Sequence, residues 1–133
     1  LDGSSAASDV YKRQVHGFPN LFMVSGPGSP SVLSNMIVTI EQHVDFIFNC
    51  LDFLTTSGFT TIEAEADAEA AWVTQCNSIA GETLFPTCNS WYLGANVPGK
   101  PRIFMPFVGG FPLYQSICEG VRTANYKGFR LAS

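Results

Sequence analysis

The chain has 133 residues, 46% of them hydrophobic and 13% aromatic, which is enough for one packed domain and too apolar for a disordered chain. Its net charge of −4 is unevenly spread: residues 15–99 hold eight acids and no Lys or Arg, whereas residues 100–133 hold five basic residues and one acid. The acidic stretch argues against a nucleic-acid surface, and apolar runs such as residues 46–48 and 103–108 are too short to span a membrane. The basic tail is expected to pair with acidic surface inside the same protein.

Residues 1–14 have no clear period, and composition shifts abruptly at Val15. Residues 4–14 resemble translated sequencing-adapter sequence, so this segment is expected to be non-native or disordered. Next, Leu21-Phe22-Met23-Val24 is a short apolar run between turn signals, and the pattern predicts a strand buried on both faces of a parallel sheet. A helix follows from about Asn35 to Leu54. Ile37, Ile40, Val44, Ile47, Phe48, Leu51 and Leu54 are its expected buried face, and Gly58 its stop.

A second helix is expected over about 65–80, with Trp72, Val73, Cys76, Ile79 and Ala80 facing inward. Glu63, Glu65, Asp67 and Glu69 crowd its start, where the helix dipole favours negative charge. Residues 81–102 read as a long loop broken by Pro86, Gly94, Pro98, Gly99 and Pro101. Residues 103–108 read as extended, at an edge or bulge because Pro106 cannot donate to a ladder. A last helix over about 112–124 turns Tyr114, Ile117, Cys118 and Val121 inward.

The cysteines Cys50, Cys76, Cys88 and Cys118, with His16 and His43, make no zinc-type spacing, so no metal site is expected. The thiols read as reduced and mostly buried, as in a cytoplasmic protein. His43 has Glu41 nearby in sequence but no nucleophile, so a structural His43 is expected and no catalytic residue is assigned.

Strand, glycine turn and helix start together can hold an anionic or electron-rich group. Glycine allows close backbone approach, and the helix start offers unpaired N–H donors. Gly26-Pro27-Gly28-Ser29-Pro30-Ser31 is not G-x-G-x-x-G, however, and spacing alone leaves an ordinary connection open. Residues 89–102, Asn89-Ser90-Trp91-Tyr92-Leu93-Gly94-Ala95-Asn96-Val97-Pro98-Gly99-Lys100-Pro101-Arg102, could fold over a ligand with Trp91 as an aromatic face, or could simply be pinned to the body by Trp91 and Tyr92.

These two stretches, the first running on through Val32-Leu33-Ser34-Asn35-Met36, with residues 17–23 before them, Ile40-Glu41-Gln42-His43-Val44 between them and residues 103–110 after them, resemble the C-terminal part of the Baeyer–Villiger monooxygenases, in particular the phenylacetone- and cyclohexanone-type enzymes. The resemblance covers essentially residues 15–132. It implies an α/β fold class: the C-terminal piece of a two-dinucleotide-binding-domain flavoprotein, with one or two strands, about three helices and a long loop. Residues 15–58 would be the last strand and helix of the FAD-binding domain. Residues 59–133 would be a C-terminal helical region with an NADP-contacting control loop at about 86–102.

By the same resemblance, the Asn35–Met36 backbone would contact the flavin and Trp91 would contact NADP. Ser31, Val32, Leu33 and Ser34 would shape the ketone pocket. The implied activity uses FAD, NADPH and O₂ to insert oxygen beside a ketone carbonyl, giving an ester or lactone. Both G-x-G-x-x-G turns are missing, and Arg102, Arg122 and Arg130 match positions other than the family's catalytic arginine, so the chain alone is expected to be inactive without the N-terminal part of the same polypeptide. An N- or S-oxidising flavin monooxygenase and a non-catalytic binding module are the competing readings.

Overall fold

A computed structural model describes residues 14–30, 34–84, 93 and 104–133. In chain order it forms α1 (Met36–Ser57), β1 (Thr61–Ala64), α2 (Ala66–Gly81), α3 (Phe111–Thr123) and β2 (Phe129–Ala132). The three helices are the expected ones, with ends within three residues of the sequence reading. Asn35 caps α1 by accepting the Ile37 N–H at 3.0 Å. Gly58 ends it at φ 74°, and the Phe59 N–H reaches back to the Leu54 carbonyl at 2.9 Å, closing a Schellman-type turn.

The sheet was not legible in the sequence. β1 and β2 pair antiparallel, Thr61 opposite Ala132 through Ala64 opposite Phe129, so the C-terminus closes onto the middle of the chain. Glu63 therefore lies in a strand and Glu65 is the residue before α2; only Asp67 and Glu69 occupy the first turn of that helix. The anticipated pairing of basic tail with acidic stretch occurs here, where the Arg130 guanidinium donates to the Glu63 carboxylate.

Residues 21–24 are not a buried strand. They have no ladder partner among the described residues, and Leu21 and Val24 are exposed. A parallel strand needs neighbours on both edges and cover on both faces, and the described residues offer none at this place. Residues 104–108, expected to be extended at an edge or bulge, join no sheet among the described residues; their ladder contact is one isolated parallel bridge between Pro30 and Phe107. Gln14, at the end of the segment set aside as non-native, is buried against the fold.

The core joins Phe46, Cys50 and Leu54 of α1 with Ile62 and Ala64 of β1, Trp72 and Cys76 of α2, and Tyr114, Ile117, Cys118 and Val121 of α3; Phe107, Tyr126 and Phe129 complete it. The inward stripes expected for α2 and α3 are the observed ones, with Val73 and Ile79 half-buried. The α1 face is a correction. Its buried residues are Thr39, His43, Phe46, Cys50 and Leu54. Ile37, Ile40, Val44, Phe48 and Leu51 face outward, Phe48 with 70% of its surface exposed. Among the described residues no helix is long and apolar enough to cross a membrane.

Candidate functional site: a turn and helix start tied to the segment before α3

Chain order places the candidate site where residues 25–30 turn into α1. Ser25 takes a left-handed conformation at φ 57°, and Gly28 does so at φ 75°. Ser29 folds back on the turn, its backbone N–H and hydroxyl both donating to the Gly26 carbonyl. Two bonds then join this turn to the segment before α3: Gly28 N–H to the Met105 carbonyl at 2.6 Å, and Phe107 N–H to the Ser29 carbonyl at 3.0 Å.

At the helix start, the Thr39 hydroxyl donates to the Asn35 carbonyl at 3.2 Å and so is left to accept from the Ser34 hydroxyl at 3.3 Å. Asn35 and Met36 are exposed and Ser34 is half-buried. The Asn35 side chain is already used in capping, so its amide is not the donor an incoming ligand would meet. The Met36 and Val38 N–H groups have no partner among the described residues. Two open first-turn donors on an exposed helix start suit a carbonyl or anionic edge such as a flavin presents. Ser31, Val32, Leu33 and Trp91 lie outside the described residues, as does most of the loop at 86–102 and Cys88.

His43 behaves as a structural residue. It is fully buried on the inner face of α1. Its Nδ1 accepts the Ser25 N–H at 2.9 Å, and its Nε2 lies 3.2 Å from the Tyr114 hydroxyl. An Nδ1 that accepts carries no proton, so the ring is neutral, and Nε2–H donates to Tyr114. Sequence reading made His43 structural but turned another face of α1 inward, and it could not find the partners of His43, because Ser25 and Tyr114 lie 18 and 71 residues away.

A second polar cluster sits at β1. The Glu63 carboxylate is almost wholly buried, accepts the Gly17 N–H at 2.8 Å and pairs with Arg130, while His16 Nδ1 lies 3.4 Å away. The Gly17 amide and the Arg130 guanidinium hold its carboxyl below the usual carboxylate range. This cluster fixes residues 16–17 onto the sheet. Among the described residues no group of His, Cys, Asp or Glu could hold a metal ion. Cys50, Cys76 and Cys118 are buried free thiols, and burial pushes Cys50 up to about 12, which keeps it protonated.

Comparison with known proteins gives this arrangement a lineage. No family model matches the chain. It is 40% identical over 119 residues to a methyl acetate-forming acetone monooxygenase from Gordonia sp. (strain TY-5), covering 89% of this chain and 22% of that protein. The chain is homologous to the Baeyer–Villiger flavin monooxygenases. A phenazine N-monooxygenase from Lysobacter antibioticus is 38% identical over 88% of the chain and 21% of its own length. The fold matches the C-terminal portion of the NADP⁺-bound cyclohexanone monooxygenase from Rhodococcus sp. Phi1, with a TM-score of 0.84 and 36% identity over 92% of this chain and 23% of that one. The chain thus spans about a fifth of the length of the monooxygenases it matches.

Proposed function

We propose that this chain is the C-terminal part of a cytoplasmic Baeyer–Villiger monooxygenase that uses FAD, NADPH and O₂ to convert a ketone to an ester or lactone. Residues 15–58 would complete its FAD-binding domain, and residues 59–133 would form the C-terminal region carrying the NADP-contacting loop. The observation that carries the reading is the match of fold and sequence over about nine-tenths of this chain to a fifth of such enzymes. The outward apolar stripe of α1 supports it, because that face suits a covering layer supplied by the rest of the polypeptide.

In this reading the Met36 N–H, with Val38 beside it, holds the flavin edge, and Trp91 contacts NADP. Ser31, Val32, Leu33 and Ser34 line part of the ketone pocket. The bound flavin supplies the oxygen chemistry. The residues of this chain orient it, through a helix start whose own capping leaves two donors open, and help keep water from the pocket. The cofactor phosphates would be held by the upstream part of the polypeptide, since this sequence contains no G-x-G-x-x-G turn.

The test is expression of the complete reading frame, followed by NADPH oxidation and product analysis with aliphatic and cyclic ketones. Ester or lactone formation is expected. A complete protein that binds FAD yet oxidises no ketone would overturn the ketone assignment. The phenazine N-monooxygenase relative favours a second reading, oxidation at a heteroaromatic nitrogen; N-oxide formation from a phenazine in the same assay would select it. For this chain alone, titration with FAD followed by flavin fluorescence should show no binding at micromolar concentration.

A further inference from the structure

The turn before α1 and the segment before α3 are joined twice, by two independent routes. One is the backbone route: Gly28 to Met105, and Phe107 to Ser29. The other passes through side chains, Ser25 N–H to His43 Nδ1 and His43 Nε2–H to Tyr114. Tyr114 belongs to the first turn of α3, where its own N–H donates to the Gly110 carbonyl, and its ring lies 5.5 Å from that of Phe107. The interactions close a ring: turn, segment, α3, Tyr114, His43 and back to the turn. His43 is the member that touches both sides through one rigid imidazole.

We infer that His43 is a positioning residue that couples the Ser25–Pro30 turn to the segment running from Met105 into α3. It does so by holding one tautomer, with an acceptor toward Ser25 and a donor toward Tyr114. Ser25 gains from this directly, since a non-glycine residue at φ 57° persists only where its surroundings fix it. Under the proposed function, which supplies the meaning of the two ends, the turn flanks the flavin and the segment follows the NADP-contacting loop. A shift of the segment would then be felt at the flavin side through a packed, hydrogen-bonded element.

The experiment uses this chain with ¹⁵N-labelled histidine. Long-range ¹H–¹⁵N correlation should show His43 with Nε2 protonated and Nδ1 bare, and Tyr114→Phe should shift Nε2. Amide hydrogen exchange then reads the coupling. In His43→Leu, the Ser25 and Phe107 amides should exchange about tenfold faster while Val121, in the core of α3, keeps its protection. His43→Asn, which keeps an acceptor near the place of Nδ1, should restore Ser25.

A protonated Nδ1 in the unaltered chain overturns the inference, as does unchanged exchange at Ser25 and Phe107 in His43→Leu. If His43→Leu loses protection at Val121 too, the tautomer and the Tyr114→Phe shift still decide. In the complete flavin-loaded protein, His43→Leu should divert NADPH oxidation from product to hydrogen peroxide, with His43→Asn recovering part of the coupling. A complete protein that binds no flavin would sink the proposed function and leave the exchange result standing.

Discussion

Tyr126 carries two costs at once. Its backbone sits at φ 56°, directly after Asn125 at φ 55°, a conformation unusual for a bulky residue. Its hydroxyl is buried with no hydrogen-bond partner among the described residues, and burial pushes that group up from its ordinary value. The ring compensates by packing against Phe46, Phe53 and Phe129 at centroid distances of 5.6, 5.0 and 6.4 Å. Tyr126→Phe keeps those contacts and removes the stranded hydroxyl, whose desolvation costs about 1–3 kcal/mol. The variant should therefore melt a few degrees above the parent chain by calorimetry. Gly109 makes the opposite case. A Cβ there would stand 2.6 Å from Phe107 Cζ, and that ring is buried and stacked on Trp72 at 5.4 Å and 15°. Gly109→Ala should cost about 1–3 kcal/mol of stability and perturb the near-ultraviolet circular dichroism of the Trp72 pair.

Helix α1 shows where a hydrophobic pattern stops being decisive. At about 100° per residue, Thr39, His43, Phe46, Cys50 and Leu54 fall on one stripe, and Ile37, Ile40, Val44, Phe48 and Leu51 on another roughly 120° round. The second is the more apolar and was the natural choice for the core. The first won because its polar members are satisfied inside: Thr39 by Asn35, His43 by Ser25 and Tyr114. Helices α2 and α3 offered one stripe each and were legible; α1 offered two. Val44→Gln and Phe48→Gln should then leave the melting of this chain within about 0.5 kcal/mol of its value and reduce self-association in light scattering. In the complete protein each should cost about 2 kcal/mol, if the rest of the polypeptide covers that face. An equal loss of stability in the chain alone would show that this stripe is already buried there.

The whole molecule is closed by contacts far apart in sequence, which is why its helices could be read and its sheet could not. Each strand is four residues long, too short to show a period, and each gains its identity from a partner about 67 residues away. The helix start at Asn35 was legible because capping is local; the bonds from Gly28 and Ser29 to residues 105–107 were not. Glu63 ties three distant pieces together: residues 16–17, β1 and β2. Its carboxyl is held below its ordinary value in the folded chain, so the unfolded chain takes up the proton first as pH falls. The stabilisation it gives is complete well above the unfolded value of about 4.3 and is lost as pH drops through the lower folded value. The Gly17 and Arg130 bonds should weaken over that window. Melting of the chain and of Glu63→Gln, compared from pH 7 to pH 3, should show a gap that is widest near neutrality and narrows in acid. The Glu119–Arg122 pair, whose carboxyl is also lowered, is present in both proteins and cancels from the difference. A gap that stays constant across that range would mean that Glu63 acts through packing alone.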